Sequence, residues 1–170
     1  MKYQVIENFL SKGDHINLKR SLTTRNFPWG YIDAIGDEND NERFHFQHMF
    51  YWEDATVNGG KTDYYYLIEP LLKKLNYQKI IRVKGNLMVK EPENYLCSKH
   101  IDFHAPHTVC LYYVNSNNGY TLLDNKVKVP SIENSAVIFD GMIPHQAASQ
   151  TDTKIRLNIN INFTENYIND

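Results

Sequence analysis

Cysteine is scarce. Cys97 and Cys110 are the chain's two, too few for the disulfide framework of a small secreted domain, and they form no Cys-x-x-Cys pair for a structural zinc. No stretch approaches the roughly 18 consecutive apolar residues of a membrane span. The start, Met1-Lys2-Tyr3-Gln4, lacks the apolar run of a signal peptide. Neither sign of charge dominates, the formal net charge being −2 over 170 residues. No broad basic surface is implied, which weighs against duplex nucleic acid as a partner while leaving room for a local groove. Internal repeats and low-complexity tracts are also missing. The expectation is a cytoplasmic, non-membrane protein, monomer or homodimer, with its thiols reduced.

Aromatic residues, by contrast, are plentiful, with 12 Tyr and 8 Phe, and 42% of the chain is hydrophobic. That suits one β-rich domain over residues 1–170, large enough for a substantial core and too small for two ordinary ones. A helix-containing front, 1–77, precedes a strand-rich core, 78–165. In the front, Ser11 or Asp14 can cap a helix that runs to about Thr24. A strand is expected from Phe44 to Trp52, where His45 and His48 fall on opposite faces and read as surface or packed histidines. A second helix is expected to open at Thr62-Asp63, with Pro70 kinking it or marking a later start. Beyond Gln78 come short strands over 79–90, 98–102, 108–115, 120–123, 126–129, 135–140, 144–149 and 154–163. Asn117-Asn118-Gly119 has the chemistry of a hairpin turn. Such a succession points to a β-sandwich or jelly roll with the front helices outside it.

The chemistry concentrates in Cys97-Ser98-Lys99-His100-Ile101-Asp102-Phe103-His104-Ala105-Pro106-His107. On a strand, His100 and Asp102 would share a face, bringing imidazole and carboxylate together. A His-x-Asp pair alone discriminates little and could be a structural pair. A third ligand is available in His145, which follows the strand Ala136-Val137-Ile138-Phe139 and a glycine turn. Two imidazoles and a carboxylate leave three octahedral positions open, which suits non-haem Fe(II) with an organic co-substrate and O₂. Downstream, 154–163 alternates strictly. Arg156, Asn158, Asn160 and Asn162 occupy one face, and Leu157, Ile159, Ile161 and Phe163 the other. The polar face of such a strand normally meets solvent, but an Arg placed here could clamp a carboxylate with its planar fork.

His100-x-Asp102, the distal His145, Arg156 and the strand Cys110–Asn115 followed by a glycine turn together resemble the 2-oxoglutarate/Fe(II)-dependent oxygenases. The closest branch is the prolyl-hydroxylase-like one, and the resemblance covers about Asn86 to Phe163. It implies a mainly β fold, a double-stranded β-helix (jelly roll) with N-terminal support helices. His100, Asp102 and His145 would hold Fe(II). Arg156 would pair with the 5-carboxylate of 2-oxoglutarate, Tyr113 would donate its hydroxyl to the same group, and Asn158 would be a neighbouring contact. The implied reaction consumes O₂ and 2-oxoglutarate, releases succinate and CO₂, and hydroxylates a C–H bond of a peptide or small molecule. Asp102 is retained, unlike the small residue of halogenase relatives. A co-substrate tyrosine sometimes found ten positions before the first ligand is Lys90 here. Asn86 and Met88 are expected to line the pocket; Lys84 shares their parity but could equally reach solvent. His104 is expected at the pocket rim and His107 in a turn or behind the ligands. Specificity would come from the loops at 36–43 and 54–61. Two other readings stay open: a nucleic-acid-modifying oxygenase of the same family, hinted at by Lys84, Lys90, Lys99 and Trp52, and a non-catalytic jelly-roll binding protein.

Overall fold

Residues 2–33, 43–54 and 60–165 are described by the computed structural model. Among them the strands are β1 (Tyr3–Ile6), β2 (Gly30–Ile32), β3 (His45–Trp52), β4 (Gly60–Lys61), β5 (Tyr77–Val89), β6 (Thr108–Tyr113), β7 (Asn117–Leu123), β8 (Val127–Ser131), β9 (Ser135–Asp140), β10 (His145–Ala148) and β11 (Ile155–Glu165). Helix α1 is Lys12–Leu22, and a 3₁₀ turn at Tyr65–Leu67 leads into the short α2, Glu69–Leu72. The strictly alternating β11 lies at the centre of the larger sheet, whose order is β1-β9-β6-β11-β5-β3-β2, with β4 on β3. The smaller sheet is β10-β7-β8, and bridges Leu96↔Ala148 and His100↔His145 add residues 96–100 as an irregular fourth strand. All these pairings are antiparallel, and the two sheets face each other as a jelly roll.

Alternation explains why the larger sheet is buried on both sides. Cys110, Tyr112 and Val114 point the same way as Leu157, Ile159 and Ile161, into a cluster with Leu18 and Leu22 of α1 and Ile68, Leu71 and Leu72. The other parity, Val109, Leu111 and Tyr113, meets Leu123 and Val129 of the smaller sheet between the layers. Helix α1 starts where Ser11 accepts from the Asp14 amide at 3.1 Å. It is pinned to the sheet by His15, whose ring nitrogens meet the Tyr112 hydroxyl at 2.6 Å and the Glu133 carboxylate at 2.8 Å.

Three expectations change. The helix opening at Thr62 is broken, and its α-helical part starts late because Pro70 fits the first turn, where no amide hydrogen is required. Ser98–Asp102 is not a strand. Its ladder stops at the His100↔His145 bridge, because Ile143, which would have to bond Asp102 next, donates its amide to the Asp140 carbonyl instead. Asn117-Asn118-Gly119 is not the hairpin turn but the start of β7. The turn into β8 is made by Asp124 and Asn125, both in the left-handed region with φ of 47° and 55°. Gly119 serves close approach instead: a Cβ there would lie 2.8 Å from the Ala148 carbonyl and from Arg156 Cδ. The loops at 36–43 and 54–61 lie outside the described residues except at their ends. No helix among the described residues is long and apolar enough to cross a membrane.

Candidate metal and co-substrate site

The two sheets enclose a cavity with about 700 Å³ of space, its open mouth included. Its walls carry Lys84, Asn86 and Met88 from β5, and Arg156, Asn158 and Asn160 from β11. Thr121 of β7, His145 of β10 and His100 face them from the opposite side. His100 and His145 are tied through their backbones, each amide donating to the other's carbonyl at 3.1 and 2.9 Å. Their ring centroids are 4.7 Å apart. The Nδ1 atoms meet the carbonyls of Ser98 at 3.0 Å and Ile143 at 3.2 Å, an arrangement that fixes the Nδ1–H tautomer and leaves both Nε2 atoms as bases. One ligand atom from each of His100, Asp102 and His145 falls within 4.8 Å of the others, and Asp102 Oδ2 is 3.9 Å from His145 Nε2. A single ion can be reached by all three.

Asp102 does not lie on a strand, and its orientation is imposed from the larger sheet. Its Oδ1 accepts from Arg82 at 2.7 Å, and its Oδ2 accepts from the Asn160 and Asn162 amides at 3.0 and 2.9 Å. Arg82 is itself steadied, its Nε donating to Asn162 Oδ1 at 3.1 Å and its guanidinium lying 4.6 Å from the Phe103 ring centroid. Burial by itself would raise the Asp102 pKa. The charges of Arg82, Lys84 and His145 and the Asn160 hydrogen bond outweigh it and hold the carboxyl well below the usual carboxylate range. Burial lowers the His145 pKa against the pull of Asp102, favouring the neutral imidazole that a metal requires. The donor set therefore suits a divalent ion as it stands.

Arg156 is 1% exposed. Its partners are Ser131 Oγ at 3.0 Å, Thr121 Oγ1 and the Tyr120 carbonyl at 3.3 Å each, and Met88 Sδ at 3.4 Å. All are neutral, and among the described residues no carboxylate pairs with it. Burial lowers its pKa. Asn158 also lines the cavity and accepts from the Asn86 amide at 2.9 Å. Tyr113 is fully buried and stands behind Thr121, donating to Thr121 Oγ1 at 2.8 Å, so Thr121 is the residue that meets the cavity at that point. Burial pushes the Tyr113 phenol up.

The remaining histidines separate cleanly. His104 is exposed. His107 is buried against Gly141, its Nδ1 held by the Ala105 carbonyl at 2.8 Å. His48 packs among Phe27, Phe50 and Tyr64, whereas His45 lines the cavity. Lys90 and Lys99 are exposed, but Lys84 faces the cavity, where burial and the nearby Arg82 lower its ammonium to about 8. Sequence reasoning missed Arg82, Asn160 and Asn162 as the holders of Asp102, and Thr121 and Ser131 as those of Arg156. The signal for the first group was present: Arg82, Lys84, Asn86 and Met88 share one parity, opposite Asn162, Asn160, Asn158 and Arg156 in register.

No protein-family model and no curated protein matches the sequence. Solved structures do. A Burkholderia pseudomallei oxidoreductase of the 2OG-Fe(II) oxygenase family superposes with a TM-score of 0.67 at 9% identity, over 95% of this chain and 84% of that one. The chain has the fold of the 2-oxoglutarate/Fe(II) oxygenases. The viral collagen prolyl hydroxylase of Paramecium Bursaria Chlorella virus-1 shares that oxygenase fold, with a TM-score of 0.58 and 13% identity over 97% and 91% of the two chains. So does HygX of Streptomyces hygroscopicus, solved with nickel, 2-oxoglutarate and hygromycin B bound, at a TM-score of 0.59 and 10% identity over 97% and 83%. On this oxygenase fold, the cavity holding the His100/Asp102/His145 cluster lies between the two sheets.

Proposed function

We propose that the protein is an Fe(II)- and 2-oxoglutarate-dependent dioxygenase that hydroxylates a C–H bond of a peptide or small molecule. The observation that carries this is one cavity lined by His100, His145 and a buried arginine with no counter-ion among the described residues, with Asp102 close enough to the two imidazoles to complete a three-ligand cluster. An isolated buried guanidinium is costly, and a ligand carboxylate removes that cost. His100, Asp102 and His145 would hold the metal, and a set of only three protein donors leaves room on it for the keto acid and O₂. When bound, the metal supplies the redox chemistry by which O₂ and 2-oxoglutarate become succinate, CO₂ and the hydroxyl placed on the substrate carbon. One oxygen atom enters succinate and the other enters the product.

The chain's own residues do the positioning. The backbone bridge between His100 and His145 fixes the two rings, and Arg82, Asn160 and Asn162 aim the Asp102 carboxylate. Arg156 and Thr121 would receive the distal carboxylate of the keto acid, with Tyr113 orienting the Thr121 hydroxyl from behind and Asn158 beside them. Val109, Leu111 and Phe139 give the cavity apolar walls that limit water around the reacting carbon. The test is conversion of 2-oxoglutarate to succinate by the purified protein with Fe(II) and O₂, slow in the absence of prime substrate. Turnover that persists unchanged in H100A and D102A sinks the assignment. A folded wild type that binds neither Fe(II) nor 2-oxoglutarate favours a non-catalytic binding protein.

A further inference from the structure

We propose that Lys84 receives an acidic group of the molecule this site oxidises, so that the prime substrate is a small compound bearing a carboxylate or a phosphate. The inference rests on the oxygenase reading above and narrows it to a substrate class. Lys84 sits midway along β5, between β3 and β11, opposite Met49 on one side and Asn160 on the other. β5 is interior to the sheet, and the side chain faces the cavity, through which it is partly exposed.

Its level along the cavity separates it from the co-substrate anchor. Across β5 and β11 the register is Met88 opposite Arg156, Asn86 opposite Asn158, and Lys84 opposite Asn160. Strand rise puts Asn160 about 13 Å from Arg156, further than the two carboxylates of a five-carbon diacid lie from each other. Asn160 is a hydrogen-bond donor to Asp102, so Lys84 stands level with the metal ligands, past the stretch a keto acid anchored at Arg156 would fill. Its charge acts on both Asp102 and His145.

The site carries more positive charge than its own carboxylate and a bound diacid can match. Asp102 already accepts from Arg82, Asn160 and Asn162, and its remaining capacity faces the metal position. In the loaded site, Arg156 is matched by one carboxylate of the keto acid and the other carboxylate joins Asp102 in offsetting a divalent ion, which leaves Arg82 and Lys84 in excess; Arg82 stays bonded to Asp102, and Lys84 has no such bond. Lys84 forms no hydrogen bond or ion pair among the described residues. A largely desolvated ammonium that faces the cavity, and whose nearest carboxylate is already bonded to Arg82, Asn160 and Asn162, selects for an anion and against neutral analogues.

The test uses the anaerobic complex of the full chain with Fe(II) and 2-oxoglutarate, whose weak visible charge-transfer band responds to groups bound beside the metal. Acetate, methylphosphonate and acetamide are titrated in turn. Saturable perturbation by an anion and none by acetamide is expected, and the tighter of the two anions assigns carboxylate or phosphate. K84M is expected to weaken that anion at least tenfold more than it weakens 2-oxoglutarate, K84R to restore anion binding to within about threefold, and R156M to show the reverse preference. Thermal unfolding verifies that each variant is folded. Anions that leave the band unmoved, or that act equally on wild type and K84M, overturn the proposal while the oxygenase reading stands. A wild type that gives no band at all overturns that reading and this one with it.

Discussion

Replacing Arg156 by methionine should pull stability and co-substrate affinity in opposite directions. In the ligand-free protein the guanidinium is 1% exposed and meets only neutral acceptors at 3.0–3.4 Å. A well-made hydrogen bond from a charged group is worth about 1.5–3 kcal/mol, a figure only the Ser131 bond approaches, the others being long at 3.3–3.4 Å, whereas desolvating the cation costs several kcal/mol. Methionine forfeits the first and escapes the second, so R156M should unfold within about 1 kcal/mol of wild type, or be the more stable of the two. The bound state behaves differently. Removing one partner of a buried charge pair costs about 3–5 kcal/mol, which corresponds to a 10²- to 10³-fold loss of 2-oxoglutarate affinity. Thermal unfolding of the ligand-free protein and anaerobic calorimetric titration of the Fe(II)-loaded protein read the two quantities separately. A stability loss above about 3 kcal/mol, together with less than a tenfold change in 2-oxoglutarate affinity, would mean that Arg156 is a structural residue, and the account of the pocket would fail.

Three further outcomes follow from the same geometry. Arg82→Met strips the 2.7 Å donor from Asp102 Oδ1, and Fe(II) or Mn(II) affinity should fall about 10- to 100-fold by equilibrium titration; unchanged affinity would show that Asp102 needs no such support. Gly119→Ala places a methyl 2.8 Å from the Ala148 carbonyl and Arg156 Cδ; a loss of about 1–3 kcal/mol in denaturant unfolding, with weakened 2-oxoglutarate binding, is expected, and full tolerance would contradict the packing described. Lys84 should leave a signature in the pH dependence of stability. Its ammonium lies at about 8 in the folded chain against 10.5 ordinarily, so as pH falls through that window the unfolded chain takes up the proton first and stability drops. After a discount for its partial exposure, that drop is about 1–2 kcal/mol. K84M should therefore gain on wild type between pH 10 and 8 in urea titrations, and parallel curves would refute it.

The fold, and the three side chains that converge beside the cavity, were legible because they rest on local pattern. His100-x-Asp102, His145 after a glycine turn, and the alternation of 154–163 are visible without coordinates, and β11 follows that alternation. What sequence could not supply was pairing across distance. The polar face of β11 could have met solvent, and only the second sheet opposite it shows why Arg156, Asn158 and Asn160 are walls of a cavity. The same holds for Arg82, which lies in a different strand from the carboxylate it holds. Asn117-Asn118-Gly119 misled because glycine serves tight turns and close approach alike, and here Arg156 and the Ala148 carbonyl claim the space a side chain would need. Tyr113 was expected at the co-substrate. That expectation came from the family resemblance; Tyr113 lies on the face of β6 turned toward the smaller sheet, but Thr121 on that sheet stands in front of it.

In the proposed function, His100, Asp102 and His145 hold a metal and Arg156 holds a keto acid at one cavity. Anaerobic absorption spectroscopy tests it most directly. Fe(II) and 2-oxoglutarate together, and neither alone, should produce a weak visible charge-transfer band that saturates at one metal per chain, and the band should vanish in D102A. A featureless spectrum from folded wild-type protein, or a band that D102A retains, would contradict the account.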